Sequence, residues 1–219
     1  MKGLVWLRND IRMDDNPSLK RAFEERNSVI CVDLWSPEQL KKHNEANIKQ
    51  DFLIQNLKSL AANLHPVNVA LLIIESKSFN TVKDDILNLI HEHSINKIYW
   101  NKEFAFDEIT RDKEVYDALQ AKAVDVEIFN DQIIYEPGFL RTGQDNPFSV
   151  FTPFKRRWIE HFDIKFLDID FDYPTKEKLN FDSNVEDFDF GFTSNHGVDM
   201  QLWPIGEASA LDRVNDFLD

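Results

Sequence analysis

The chain has one cysteine, six glycines and no long apolar run, and each shortage excludes a class of protein. Cys31 alone cannot build a disulfide framework, so a reducing compartment is expected. No apolar run reaches the roughly 18 residues that a membrane span needs, and the N-terminus lacks the apolar region of a signal peptide. We therefore expect a cytoplasmic protein that is monomeric and has no membrane partner.

Basic residues are also scarce, since 25 Lys and Arg stand against 39 Asp and Glu, for a net charge of −14. Residues 163–219 contain 14 acidic and 4 basic residues, so a charge of −10 lies in this C-terminal part. The only basic cluster is Lys155–Arg157. Because binding to DNA phosphates needs a concentrated basic face, we expect this chain alone to bind DNA little or not at all.

Strand and helix patterns alternate over residues 1–130. Short apolar runs predict strands at Gly3–Leu7, Val29–Leu34, Val69–Ile74, Lys97–Trp100 and Val126–Phe129. Helical periodicity predicts helices at Pro17–Glu25, Ile48–Leu64, Val82–His93 and Asp107–Ala121. This alternation predicts an α/β fold: a five-stranded parallel, doubly wound (Rossmann-like) sheet with helices on both faces.

The pattern changes after residue 130, and three further segments are predicted. Residues 131–162 form a loop and a short helix that close the domain, and residues 163–202 form an extended acidic linker with interleaved aromatic residues. Residues 203–219 begin a helical domain, because Ala208–Leu218 has one apolar face. The sequence stops inside this pattern without a capping glycine, so we expect that helical domain to be truncated.

A charged motif follows the first predicted strand. Arg8, Asp10 and Arg12 stand where the strand would end, and Asn16-Pro17 supplies an N-cap and a first-turn proline for the next helix. No G-x-G-x-x-G is present, which removes the main support for ordinary dinucleotide binding. From the residues alone, these charges and those of Arg111-Asp112 predict an ion-pair lattice at the strand ends.

The motif W-L-R-N-D-I-R-M-D-D-N-P-S-L, residues 6–19, resembles the N-terminus of the DNA photolyase/cryptochrome family. Three more blocks are similar to family motifs: residues 101–112 (N-K-E-F to R-D), 150–158 (V-F-T-P-F-K-R-R-W) and 203–208 (W-P-I-G-E-A). The V-F-T-P-F-K block is most like the class I cyclobutane pyrimidine dimer photolyases. The resemblance thus extends over nearly the whole chain.

This resemblance implies the N-terminal antenna (photolyase α/β) domain of a flavoprotein, a deoxyribodipyrimidine photo-lyase. The full-length enzyme, a carbon–carbon lyase of DNA repair, would use light and reduced FAD to split cyclobutane pyrimidine dimers in UV-damaged DNA. FAD and most of the DNA-binding groove would belong to the missing helical domain. This chain would then contain no catalytic residue and be inactive alone. A cryptochrome-type blue-light photoreceptor, which shares the N-terminal motifs, is the alternative.

The resemblance also implies an antenna chromophore, 5,10-methenyltetrahydrofolate, with His43, Asn44, Asp107 and Glu108 as binding residues. A carboxylate at Glu108 suits the adjacent amino group and ring N–H of a pterin, which it accepts as a two-point hydrogen bond. Asp107 replaces the usual asparagine of the family, which weakens a contact to the pterin carbonyl. The isolated fragment is expected to lack the pigment, because the missing domain would cover one side of the site. A deazaflavin or flavin bound deeper, beyond the strand ends, remains the alternative pigment.

These residues can also be interpreted as purely structural. His43 would ordinarily be a solvated loop residue, and Asp107 and Glu108 would ordinarily stabilise a helix N-terminus. His91 and His93 point in different directions on a helix, so no metal site is predicted there. A different class of function is a stand-alone nucleotide-binding or interaction module on a flavodoxin-like sheet, with the acidic segment as its partner surface.

Overall fold

One parallel sheet organises the protein, which we analysed as a computed structural model that describes residues 1–163, 171–191, 197–199 and 202–218. The strands are β1 (Lys2–Leu7), β2 (Ser28–Trp35), β3 (Ala70–Glu75), β4 (Lys97–Asn101) and β5 (Asp125–Phe129). Their order is β3-β2-β1-β4-β5, and every neighbouring pair is parallel. This order confirms the doubly wound prediction. The flavodoxin-like sheet of the alternative hypothesis is wrong, because that sheet places its first strand between the second and third.

The helices of the described residues lie between and after the strands. They are α1 (Pro17–Glu25), α2 (Pro37–Lys42), α3 (Asn47–Leu64), α4 (Val82–His93), α5 (Phe106–Ala121), α6 (Phe151–His161) and α7 (Glu207–Leu218). The N-cap predicted before α1 is present, since Asn16 Oδ1 accepts a hydrogen bond from the Leu19 N–H at 3.2 Å. The sequence patterns missed α2, because six residues are too few to show helical periodicity.

Both faces of the sheet are buried, as the near-continuous apolar strands require. Along β1, Val5 and Leu7 pack towards α1 and α3, whereas Leu4 and Trp6 pack towards α4 and α5. All four side chains are almost completely buried. No helix in the described part of the chain combines the length and apolar character that crossing a bilayer requires.

Residues 171–191, which we call the strap, cover the outer edge of β3. The Leu71 N–H donates to Ser183 Oγ at 2.9 Å, and the Ile73 N–H donates to Asn184 Oδ1 at 2.7 Å. Asn184 Nδ2 in turn donates to the Ile73 carbonyl oxygen at 2.9 Å. With the Asn184 N–H, which donates to the Leu71 carbonyl oxygen at 3.3 Å, these contacts occupy the outward backbone groups of Leu71 and Ile73, so this part of the edge is closed to pairing with another chain.

The strap is also packed into the core on both sides of that edge. Leu179 belongs to the apolar cluster beneath α4 and α5, and Val185 to the cluster beneath α1 and α3. Lys176 Nζ donates to the Arg26 carbonyl oxygen at 2.8 Å, beside the C-terminal end of α1. Of the predicted linker 163–202, residues 164–170, 192–196 and 200–201 lie outside the described residues.

The start of α7 is docked on the sheet domain by hydrogen bonds that backbone N–H groups donate to side-chain oxygens. Glu207 Oε1 accepts from the N–H groups of Met13 and Asp14 at 2.8 and 2.9 Å. The Gly206 N–H donates to Asn56 Oδ1 at 3.1 Å. Further along α7, four apolar side chains are more than half exposed: Leu211, Val214, Phe217 and Leu218. The helix is thus anchored at its N-terminus and displays its apolar face.

Candidate functional site

An open pocket of about 430 Å³ lies beyond the carboxyl ends of β1 and β2. In doubly wound sheets this edge is the usual place for ligands. The pocket is walled by the ends of both strands, by α2 and α3, and by the first turns of α5. The lining residues with polar or aromatic character that matter below are Trp6, Arg8, Asp33, His43, Glu108 and Arg111.

A buried ion-pair lattice forms one side of the pocket. Arg111 Nη2 lies 2.7 Å from Glu103 Oε2 and 2.7 Å from Asp112 Oδ1. Arg8 is 3.7 Å from the Glu103 carboxylate and 3.6 Å from that of Asp112. Burial alone would raise the pKa of Glu103, but Arg8 and Arg111 lower it overall. The ion pairs predicted for Arg8, Arg111 and Asp112 are thus present, whereas Arg12 pairs outside this lattice, with Asp131 at 2.6 Å.

Arg8 differs from Arg111 in having hydrogen-bond donors to spare. Its Nε, Nη1 and Nη2 atoms are buried and have no hydrogen-bond partner among the described residues. The side chain is only 6% exposed, and it lines the pocket. Because buried donors are normally satisfied, this guanidinium is suited to an acceptor atom of a ligand.

Asp33, near the carboxyl end of β2, supplies a carboxyl group to the same pocket. Burial, and then the nearby charge of Asp10, raises the pKa of Asp33 to about 7. Near neutral pH the group is therefore divided between its acid and carboxylate forms. It can donate a hydrogen bond in the first form and accept in the second.

His43 and Glu108, two of the predicted pigment-binding residues, line this pocket together. His43 is the C-cap of α2, and Glu108 lies in the first turn of α5. His43 Nε2 is 2.8 Å from Gln39 Nε2, and its ring meets Phe79 edge-on with centroids 6.2 Å apart. The fold thus brings two residues 65 positions apart to one pocket.

The other two predicted residues, Asp107 and Asn44, do not line this pocket. Asp107 Oδ2 accepts from Lys42 Nζ at 2.7 Å and from Gln39 Nε2 at 3.2 Å, and it lies 3.3 Å from His43 Nε2. Hydrogen bonds from Lys42 and then from His43 lower the pKa of Asp107 to about 2. Asp107 lines a neighbouring pocket of about 410 Å³, and Asn44 is exposed and lines neither pocket.

Sequence reasoning missed two features of this site. It assigned Arg8 to the ion-pair lattice alone and did not single out Asp33. A signal for Asp33 was present, since an acidic residue interrupts the apolar run from Val29 to Trp35. Within the described ranges, no three His, Cys, Asp or Glu side chains are grouped so that they could hold a metal ion.

Residues 3–175 match the family model described as DNA photolyase, so the chain belongs to the DNA photolyase family. A similar curated protein is the deoxyribodipyrimidine photo-lyase of Buchnera aphidicola (subsp. Acyrthosiphon pisum), 27% identical over 217 residues. That match covers 99% of this chain and 44% of the relative. The chain therefore spans under half the length of this relative.

Two solved structures share the fold. A bacterial class III photolyase from Agrobacterium tumefaciens superposes with a TM-score of 0.75 at 24% identity, over 100% of this chain and 44% of that one. A cryptochrome from Synechocystis sp. PCC6803 superposes with a TM-score of 0.71 at 22% identity, over 98% of this chain and 45% of that one. Both matches confirm the α/β sheet domain predicted from the sequence.

Proposed function

We propose that this chain is the light-harvesting domain of a deoxyribodipyrimidine photo-lyase, and that the pocket beyond β1 and β2 holds its antenna pigment. The observation that carries the proposal is the joining of His43 and Glu108 at one pocket whose wall also contains the spare donors of Arg8. The full-length enzyme would bind FAD and UV-damaged DNA through its helical domain. In this chain the task is to bind and orient a pigment.

The pigment we propose is 5,10-methenyltetrahydrofolate. The Glu108 carboxylate would accept a two-point hydrogen bond from the amino group and ring N–H of the pterin. His43 would contribute a single weaker contact at the edge of the pocket. Asp107 is already engaged by Lys42, so we do not assign it a direct role. Instead, its contact with His43 Nε2 helps to hold the imidazole at the edge of the pocket.

A deazaflavin or flavin is the second candidate, and the deeper groups of the pocket favour it. Arg8 offers donors, and Asp33 offers a carboxyl group that accepts when ionised. A donor and an acceptor near each other are complementary to the adjacent carbonyl and N–H of a lactam ring. Flavins, deazaflavins and pterins all carry such an edge. Variants of Glu108, at the edge of the pocket, and of Asp33, deeper in it, are therefore both needed to separate the candidates.

The test is a titration of the full-length protein with 5,10-methenyltetrahydrofolate, followed by absorption and fluorescence. Glu108→Gln should weaken binding by roughly 1.5–3 kcal/mol, because it removes a charge-assisted two-point contact. His43→Ala should cost less. Glu92→Gln, on the exposed side of α4, is the matched control and should bind as the unmodified protein does.

The same variants distinguish the two pigments. If Glu108→Gln leaves folate binding unchanged, the folate assignment at this pocket is wrong. If Asp33→Asn then weakens the binding of a deazaflavin or FMN while Glu108→Gln does not, the deeper pigment is supported. Each titration uses one chemically defined pigment, so a negative result applies to that compound at this site.

Photolyase and cryptochrome activity are separated by a repair assay on the full-length protein. Light-dependent loss of cyclobutane pyrimidine dimers, together with flavin absorption, is the result we expect. Flavin absorption without repair would instead support a cryptochrome-type photoreceptor. That outcome would leave the pigment proposal for this domain intact.

A further inference from the structure

The wall of the pocket contains a tryptophan in contact with two cations. The Trp6 side chain is 1% exposed, and it lines the pocket. The guanidinium carbon of Arg8 stands over its ring, 4.7 Å from the centroid, and that of Arg111 stands 4.8 Å away. Trp100 lies next to the same indole, with ring centroids 5.5 Å apart. Two cations thus stand within 5 Å of one indole at the pocket wall.

An indole in the wall of a pigment-binding pocket can quench the excited pigment by electron transfer. Indole is among the most easily oxidised side chains, and electron transfer to an excited acceptor is fast when the two groups are in contact. Trp6 would lose one electron and become an indole radical cation, and the excited pigment would gain that electron. No bond would form or break, and the excitation energy would be lost before it could reach the flavin.

The two guanidinium groups oppose this loss. Oxidation of Trp6 would create a positive charge within 5 Å of two guanidinium groups, and their repulsion disfavours it although Glu103 and Asp112 partly offset their charge. The attraction between each cation and the neutral ring would be lost in the same step. Asp112 and Glu103 raise the pKa of Arg111 against the effect of burial, so this cation stays charged.

We propose that Arg8 and Arg111 prevent Trp6 from donating an electron to the excited antenna pigment, so that the excitation survives long enough to be transferred. This inference rests on the proposed function, because it requires a pigment in the pocket that Trp6 lines. It assigns the arginines a role in the lifetime of the excited state, in addition to their ion pairs.

The test uses the full-length protein loaded with 5,10-methenyltetrahydrofolate, and its readouts are the fluorescence lifetime of the pigment and transient absorption. Arg111→Gln should shorten the lifetime severalfold and produce the absorption of a tryptophan radical. Adding Trp6→Phe to Arg111→Gln should restore the lifetime and abolish the radical. Arg111→Lys, which keeps the charge, should stay near the native lifetime. Arg21→Gln, on the exposed part of α1, controls for charge removal elsewhere.

Three results would overturn the inference. The first is an unchanged lifetime in Arg111→Gln, and the second is a shortened lifetime that Trp6→Phe does not restore. The third is a longer lifetime in Trp6→Phe alone, since Trp6 would then already quench the pigment with both cations in place. This single variant keeps the test decisive if Arg111→Gln does not fold.

The outcomes also separate this inference from the proposed function. If methenyl-folate fails to bind the unmodified full-length protein, or if Glu108→Gln leaves its binding unchanged, the folate proposal and the inference fall together. If the pigment binds through Glu108 and the lifetime is insensitive to Arg111 and Trp6, only the inference falls.

Discussion

Replacing Asp33 by asparagine is expected to raise the free energy of unfolding, and the gain should grow with pH. Burial holds the pKa of Asp33 at about 7 in the folded chain, against a reference value of 3.8. Below about pH 4 the carboxyl group is protonated in both states, so its ionisation does not affect stability. Between about pH 4 and pH 7 it ionises mainly in the unfolded state, which destabilises the fold progressively.

The magnitude follows from the size of the pKa shift. A shift of about three units corresponds to about 4 kcal/mol, which is fully expressed only above about pH 7. Asparagine has nearly the same shape and no charge, so Asp33→Asn should recover up to about 4 kcal/mol at alkaline pH and little near pH 4. This is an upper limit, because asparagine also needs hydrogen-bond partners in the pocket.

Urea unfolding of the chain and of Asp33→Asn, at several values between about pH 4.5 and pH 8.5, measures this difference. Asp182→Asn, at an exposed position of the strap, is the control and should show no comparable pH-dependent gain. A gain for Asp33→Asn that is the same at every pH would refute the argument. So would a loss of stability that increases towards alkaline pH.

Three further predictions concern the ion-pair lattice, the strap and DNA. Glu103→Gln should lower the free energy of unfolding by roughly 1.5–3 kcal/mol, because Arg111 would lose one buried carboxylate partner while keeping Asp112; a loss below about 0.5 kcal/mol in urea unfolding would contradict this. Asn184→Ala should cost about 1–3 kcal/mol, since Ile73 would lose two hydrogen bonds at the β3 edge. Light scattering should also detect more self-association, and an unchanged profile in both assays would count against the strap's role. The chain should bind duplex DNA only weakly in fluorescence anisotropy, with added salt abolishing the signal, because Lys155–Arg157 is its only basic cluster; sub-micromolar affinity at physiological salt would show that reasoning to be wrong.

The sequence predicted the sheet well because its strands are buried on both faces. A short apolar run flanked by charge, such as Gly3–Leu7, is typical of a strand buried on both faces of a parallel sheet. The helices α1 and α4 were predicted with their observed bounds, since a cap or a clear apolar face marks each of them. The short α2 gave no such signal, so His43 was expected in a loop and is instead the C-cap of this helix.

The site was predictable only in part, because a pocket is formed by residues that are distant in the chain. The motifs indicated His43 and Glu108, and the fold brings them to one pocket. The pairing of Asp107 with Lys42 depends on how α2 meets α5, which no local pattern reveals. The spare donors of Arg8 depend on the angle of its guanidinium in the lattice, and spacing along the chain does not determine that angle.

The strap has a consequence for the order in which the nascent protein can be completed. Ser183 and Asn184 bind strand residues that leave the ribosome 112 and 111 positions earlier. At typical rates of translation, the β3 edge is synthesised about 6–20 seconds before the side chains that close it. The β3 edge is therefore covered only shortly before α7 is synthesised, so closing the sheet and adding α7 are nearly one event. A shortened gene that ended after α6 would leave the β3 edge permanently uncovered, and its product would be prone to edge-to-edge association.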